Sequence, residues 1–390
     1  MPGVFERFIR GWLPRFGRAR PVDVLFYAAS WVDEAWIRST IGECRRRGFS
    51  CVLAVRTAVP DDDRRRYESA GVLVQGGADG DAMARFAALV AVTASSGVPR
   101  SLFGAGVKTV VHMPHSIVSL HMIYPESAFD GYDVMFAAGP HHEAEFAALT
   151  AFRKLGARRS FAVGYGKADL LLEGSRERPA GQASVDSVLL APSWGPHSLL
   201  PTLGLPLVEA LMESGKHVTL RPHPLHVLEK DPSYEAIVKR CSGAPKFLLE
   251  LPDARADAMR SAEVLVTDYS GTAFEFALLG HRPVVFVDVP KKVVNANWEQ
   301  IGLAPIEVAL RDKIGVVVPP DPAAVAKAVV DLAQRTEQWQ ERIASAVPTF
   351  LYHRDDCAVA ATDAIAVLLD GVRPALSARR GEGSQCQPLH

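Results

Sequence analysis

Short apolar runs rich in Val, Leu and Ala recur along the chain, separated by stretches whose apolar residues return at helical spacing. Such runs, bounded by Gly, Pro and polar clusters, predict strands buried on both faces. In the first half they are VDVLFYAA (22–29), SCVLAV (50–55), GVLVQ (71–75), KTVVHMP (108–114), VMFAA (134–138) and FAVG (161–164). Helices are predicted over 37–47 and, as a longer element, around 81–96. The segment 173–186, polar and rich in Gly, Pro, Ser and Arg, predicts an interdomain linker. A second series follows, with strands at SVLLAPSW (187–194), HVTLRPHP (217–224), KFLLEL (246–251), EVLVTD (263–268) and PVVFVD (283–288). Its helices are predicted over 203–214, 232–241, 254–261, 272–280, 321–345 and 355–370. Strands alternating with helices build parallel sheets. The prediction is therefore an α/β protein of two Rossmann-like doubly wound domains, 21–175 and 176–350, facing a cleft at the carboxyl ends of their strands. A closing helix (351–370) and a flexible tail (371–390) complete it.

Residues 1–20 stand apart. Phe5, Phe8, Ile9, Trp12, Leu13 and Phe16 recur at helical spacing, while Arg7, Arg10, Arg15, Arg18 and Arg20 add positive charge. That is the pattern of a basic amphipathic helix suited to an anionic membrane surface, or of a helix packed on the body of the protein or a second subunit. Pro14 interrupts it.

Composition narrows the class. With 390 residues, 48% hydrophobic and 22% charged, the chain can bury a large core, which excludes global disorder. A net charge of −1 and a pI near 6.9 give no electrostatic case for nucleic acid as the partner. The five cysteines are scattered and form no CxxC pair, which argues against a disulfide framework or structural zinc and for a reducing compartment. No apolar run reaches about 18 residues, and the first twenty residues lack a secretory h-region. The expected location is the cytoplasm, peripheral on the inner face of the cell membrane if residues 1–20 engage lipid.

Three constellations could carry chemistry. In VLVTDYSGTAFEFALLG (264–280) an apolar strand runs into Asp268, Tyr269, Ser270, Gly271 and Thr272 and then into an apolar helix. Free backbone N–H groups and hydroxyls at a helix start bind phosphate, although Ser270 or Thr272 could equally serve as a plain cap. In LRPHP (220–224), His223 sits between two prolines beside Arg221, placed to donate to phosphate oxygens or to act as an acid. In VVHMPHSIVSLH (110–121), His112, His115 and His121 follow a strand of the first half. A zinc site there lacks cysteine or carboxylate partners, so a catalytic base reaching in from the opposite domain is the better reading. His141 and His142, in GPHHEAEF, either line the same cleft or begin a helix with exposed side chains. Asp61–Asp63 and Asp355–Asp356 look like solvated helix starts. There is no Walker A loop, no GxGxxG after a strand and no GxSxG elbow.

The run LRPHP, then TDYSG, then FEFALLGHRPVVF resembles the CDP-glycerol glycerophosphotransferase family, the teichoic-acid and capsule polymerases, whose carboxyl-terminal domain carries His-Pro and Thr-Asp-Tyr-Ser-Ser motifs. His115 in MPHS stands where the family has Trp-His-Gly, APSW (191–194) resembles its Pro-Thr-Trp loop, and YHRDDCAVAATDAI (352–365) its closing helix. The likeness covers roughly 108–370. It departs from the family at Gly271, in place of the second serine, and at Pro-His-Ser, in place of Trp-His-Gly.

The resemblance implies a GT-B fold and transfer of a polyol phosphate from a CDP-activated donor to a glycan or polymer hydroxyl, with CMP leaving; no cofactor is expected, and since the sequence shows no metal cage, the helix end and cationic side chains are expected to take a divalent ion's place. It implies His115 as general base, Arg221 and His223 as charge stabilisers, and Ser270, Gly271 and Thr272, with Asp268, as the donor-phosphate site. His112, His141, His142, Trp194 and Tyr269 are expected to line the cleft. The same architecture also suits a nucleotide-sugar glycosyltransferase, a UDP-sugar 2-epimerase-like enzyme, or a non-catalytic nucleotide-binding assembly subunit.

Overall fold

A computed structural model describes residues 22–83, 86–176, 186–251 and 257–381. The amphipathic segment 1–20 lies outside the described residues, as do 177–185 of the expected linker and 382–390 of the expected tail.

The first sheet has seven parallel strands: β1 (Val22–Ala28), β2 (Cys51–Val55), β3 (Leu73–Gly76), β4 (Ala88–Thr93), β5 (Thr109–His112), β6 (Val134–Ala137) and β7 (Arg159–Ala162). Their order is β3-β2-β1-β4-β5-β6-β7. The second has six: β8 (Ser187–Leu190), β9 (His217–Leu220), β10 (Phe247–Leu249), β11 (Val264–Thr267), β12 (Val284–Val287) and β13 (Gly315–Val318), in the order β10-β9-β8-β11-β12-β13. Both are doubly wound, with the strand order reversing between β1 and β4 and between β8 and β11. Ligands of such sheets sit beyond the carboxyl ends of the strands at those reversals. The strands are apolar on both faces because helices cover both. Val24, Phe26 and Leu53 enter one core and Leu25, Tyr27 and Val52 the other, with the same alternation along β8, β11 and β12.

Several elements depart from the sequence prediction: β13 falls outside the predicted strands, and the helix expected over 321–345 is two, Pro322–Ala333 and Thr336–Phe350. Instead of a long helix around 81–96, only Gly80–Met83 is helical, and Ala88–Thr93 is β4, paired in register with β1 and β5. ALVAVT is buried at every position, and a wholly buried run has no amphipathic period to separate strand from helix. The closing helix, Cys357–Gly381, runs well past the expected end at 370. It crosses back to the first sheet, where Cys357, Ala361, Ile365 and Leu369 pack with Ile41 and Cys44. Among the described residues no helix is long and apolar enough to cross a membrane.

One of the two cores of the second sheet also joins the halves. Ile117 and Val118, in the loop after β5, pack with Leu189, Leu265, Phe274 and Phe276 of the second sheet and its helices. The floor of the cleft is therefore dry, and polar chemistry is confined to its walls.

Candidate active site

Between the strand ends of the two sheets lies a cavity of about 430 Å³. His115, beyond β5, forms part of one wall. Arg221 and His223, beyond β9, and Tyr269 to Thr272, beyond β11, form the other. These sequence-predicted residues come from opposite domains and share one crevice.

His115 is held by its ring. Nδ1 lies 2.8 Å from the carbonyl oxygen of Ala94. A carbonyl can only accept, so Nδ1 carries the proton and Nε2 keeps its lone pair. Nε2 lies 3.3 Å from the Tyr124 hydroxyl. The rings of Trp36 and Tyr124 pack edge-on against the imidazole at 5.8 and 5.7 Å. The outcome is a half-buried imidazole of fixed tautomer whose Nε2 lone pair, met by the Tyr124 hydroxyl, is the proton-accepting nitrogen.

His223 has the opposite tautomer. It caps the short helix Pro224–Leu228, its Nδ1 accepting from the backbone N–H of Leu225 at 3.2 Å. The ring proton therefore sits on Nε2. Burial, with lesser repulsion from Lys292 and His226, pushes its pKa down to about 4. Near neutral pH His223 is a neutral N–H donor and not a cation. The indole of Trp194 stacks on it, with centroids 6.4 Å apart and planes inclined by 27°.

Positive charge comes from Arg221, which is paired with Glu250 at 3.5 Å, and from Lys292, which lines the cavity. Lys292 is half-buried, and desolvation lowers its pKa despite opposing attraction from Asp268 and Glu307. On the far wall Lys167 pairs with Glu275 at 3.3 Å and lies over the Trp36 ring. The helix at the cleft opens with Thr272–Phe274 and continues as a π-helical turn, Glu275–Leu279. Ser270 Oγ accepts from the N–H of Thr272 at 3.3 Å, although the N-cap position itself is Gly271, which offers no side chain. The Ser270 side chain also lines the cavity.

Several predicted site residues lie elsewhere. Asp268 is buried and lines not the main cavity but a smaller one beside it, and its carboxylate accepts from Ser193 N, Ser193 Oγ and Leu199 N at 2.7, 2.9 and 2.8 Å. Its oxygens are occupied in tying the loop after β8 to the loop after β11, and a carboxylate repels phosphate. That geometry fits a residue that positions two loops better than one that binds phosphate. Trp194 lines a smaller adjoining cavity of about 200 Å³ that meets the main one at Lys292, Ser193 and Tyr269.

His112 is buried against Phe129 and Tyr132. His141 and His142 begin the helix Pro140–Phe152, but His142 is fully buried and neither lines the cleft. Their Nε2 atoms donate to the carbonyls of Ile117 and Val118, each at 2.9 Å. Burial lowers the pKa of His142 to about 4 and that of His141 well below its ordinary value, so both serve as neutral donors. They brace, from behind, the loop that carries His115. His121 instead faces Glu145 at 3.3 Å. The three histidines of 112–121 thus point to three different environments, and among the described residues no group of three or more His, Cys, Asp or Glu converges as a metal cage.

Comparison with known proteins adds to this geometry. Residues 126–292 match the model of the family described as CDP-Glycerol:Poly(glycerophosphate) glycerophosphotransferase. Over that stretch the chain is similar to the glycerophosphotransferase family. No curated protein sequence matches. Among solved structures, the UDP-GlcNAc 2-epimerase of Neisseria meningitidis bound to UDP-GlcNAc is similar, with a TM-score of 0.60 and 12% identity over 88% of this chain and 99% of that one. The Methanocaldococcus jannaschii UDP-GlcNAc 2-epimerase has a TM-score of 0.57 and 13% identity over 88% and 99%. A Rickettsia africae glycosyltransferase has a TM-score of 0.52 and 10% identity over 90% and 99%. At such identities the likeness is one of fold, and the fold is GT-B.

The glycerophosphotransferase match takes in Arg221, His223, the Ser270–Thr272 turn and Lys292, but begins after His115. It is therefore shorter than the resemblance read over 108–370, and the first-domain wall of the site stands on geometry. Sequence reasoning missed Lys292, Lys167 and Tyr124. Lys292 had a faint signal, since it follows β12 at the same strand-end level as the predicted motifs. Tyr124 and Lys167 had none, because only the fold brings them to the cleft.

Proposed function

We propose that the protein transfers a polyol phosphate from a CDP-activated donor to a hydroxyl of a glycan or polymer acceptor. The observation that carries this reading is the pairing, across one cavity, of a proton-accepting His115 Nε2 with a phosphate-binding wall of His223, Arg221, Lys292 and the helix start at Thr272. The family match over 126–292 supports the choice of donor class.

In this mechanism the diphosphate lies along the Ser270–Thr272 turn, where helix N–H groups and the dipole favour anions. The acceptor hydroxyl attacks the phosphorus that bears the polyol. The new O–P bond forms, the bridging P–O bond to CMP breaks, and the acceptor's proton passes to His115 Nε2. Negative charge growing on the bridging oxygen is met by Lys292, Arg221 and the Nε2–H of His223. Positioning and electrostatics supply most of the rate in phosphoryl transfer.

The test is product release from a donor panel of CDP-glycerol, CDP-ribitol and UDP-GlcNAc, with H115A as control. CMP from a CDP-polyol, lost in a folded H115A variant, is the expected result. UDP release or epimerisation of UDP-GlcNAc, without turnover of either CDP-polyol, would overturn the proposal in favour of the sugar-nucleotide chemistry of its structural neighbours.

A further inference from the structure

Gly271 opens the cleft helix at φ −60° and ψ −21°. Any L-residue adopts those angles, so the backbone does not call for glycine here. Space does. A Cβ at this position would stand 2.5 Å from Ser116 Oγ and 3.3 Å from Val118 Cγ1. Both neighbours belong to the loop of the other domain that carries His115. That loop is pinned: His141 and His142 hold the carbonyls of Ile117 and Val118, and Glu307 and Glu145 accept from the N–H groups of Ser119 and Leu120. Ser116 Oγ accepts from Val118 N at 3.4 Å. Its own proton has no acceptor among the described residues, and the side chain lines the cavity.

We propose that Ser116 supplies, from across the cleft, a hydroxyl that completes the phosphate site at the start of this helix, and that position 271 is glycine so that this hydroxyl can reach. The proposal rests on the reading of the cavity as a diphosphate site. Its ligand is a nucleoside diphosphate, gripped between Ser116 on one wall and Ser270 and Thr272 on the other. A hydroxyl donating to an anionic oxygen is a charge-assisted bond, stronger than a neutral one. Because it comes from the opposite domain, the contact exists only when the cleft is closed, and occupancy and closure become linked.

The geometry sets a specific genetic test. Ser116 Oγ is one rotation from its backbone, so a methyl at 271 would turn the hydroxyl aside and leave the fold intact. G271A and S116A therefore remove the same interaction and should not multiply. Affinity for CDP is measured by calorimetry in wild type, S116A, G271A and the double variant, with melting temperature as the folding control. Each single variant should bind roughly tenfold more weakly or worse, the double variant should match the weaker single, and all should melt like wild type. S116G/G271S, which moves the hydroxyl to the opposite wall, should recover most of the affinity.

Wild-type affinity in S116A, or single effects that multiply in the double variant, would overturn the proposal. If wild type binds UDP and not CDP, the cytidine donor reading fails, and the same cycle run with UDP still decides the role of Ser116. If G271A does not fold, the comparison of S116A with S116G/G271S decides instead: recovery supports the role of the hydroxyl, and equal weakness overturns it. If wild type binds neither nucleotide nor inorganic pyrophosphate, both proposals fall together.

Discussion

Glu307 offers the sharpest quantitative prediction. It is buried at the domain junction, where its Oε1 accepts from the N–H of Ser119 at 2.8 Å and its Oε2 has no partner. Burial, reinforced by the nearby Glu145 carboxyl, pushes its pKa from an ordinary 4.5 up to about 7. Glu145 is likewise raised by burial, though His121 beside it pulls the other way. The sign follows from linkage. An acid whose pKa is raised in the folded state favours folding below the unfolded value, and that contribution is lost as pH climbs through the folded one. The gap between about 7 and 4.5, at 1.36 kcal/mol per decade, is roughly 3 kcal/mol of stability lost between pH 4.5 and 8. Glu307→Gln keeps the Ser119 bond, removes the charge, and puts an amide beside Glu145. It should melt several degrees above wild type at pH 8, since 1 kcal/mol moves a domain of this size by about 2–4 °C. The advantage should vanish below pH 5, where wild type is itself protonated. Thermal melts of both proteins across pH 4.5–8.5 decide the matter. A Gln variant that melts no higher at pH 8, or that is equally favoured at pH 5, would refute the account.

Three further outcomes are expected. His223→Asn retains an acceptor near the Nδ1 position for the Leu225 N–H but removes the Nε2 donor, so turnover should fall by about 10²–10³ with little change in melting temperature. An equally large loss of stability would mean that the residue is only a cap. Lys292→Ala should weaken nucleoside diphosphate binding about tenfold or more, with a shallower salt dependence in titrations at rising ionic strength; unchanged affinity would remove it from the site. Asp268→Ala strands three buried donors at Ser193 and Leu199 and should cost on the order of 3 kcal/mol in denaturant unfolding, whereas a variant of wild-type stability would contradict the positioning role assigned to it.

The alternation of apolar runs and helical stretches is enough to read two doubly wound sheets, because strands covered on both faces leave a plain apolar signature. The same uniformity hides β4: ALVAVT carries no period, and only its pairing with β1 and β5 makes it a strand. At the site, residues immediately after predicted strands are legible, since a strand end in such a sheet faces the cleft wherever the chain goes next. Arg221, His223, Tyr269 to Thr272 and His115 all satisfy that rule and line the cavity. His112 fails it by one turn of the pleat, ending inside the sheet layer. His141 and His142 fail because a pair of polar rings at a helix start looks solvated until the loop carbonyls they satisfy are located. Asp268 misleads for a related reason. Its neighbours in sequence face outward to the cavity, but its carboxylate faces a loop 75 residues away.

The placing of His115 illustrates why so many polar groups are buried here without being catalytic. The loop from His115 to Met122 is neither helix nor strand, yet its middle is sealed in the core shared by the two domains. Its backbone groups cannot reach water, and unpaired they would cost about 1–3 kcal/mol each. No strand is available to pair them, so side chains do so: two neutral histidines take Ile117 and Val118, Glu145 takes Leu120, and Glu307 and Asn295 take Ser119 and His121 from the other domain. The first three partners belong to the helix Pro140–Phe152 and travel with the loop. The last two belong to the second domain. If the cleft opened, His115 would keep most of its bracing but the loop would lose Glu307 and Asn295, leaving the Ser119 N–H and the His121 carbonyl to find water. Closure is thus favoured, before any ligand arrives, by hydrogen bonds of the loop that cross between the domains. His115 is brought to face the opposite wall by the need to satisfy a buried backbone.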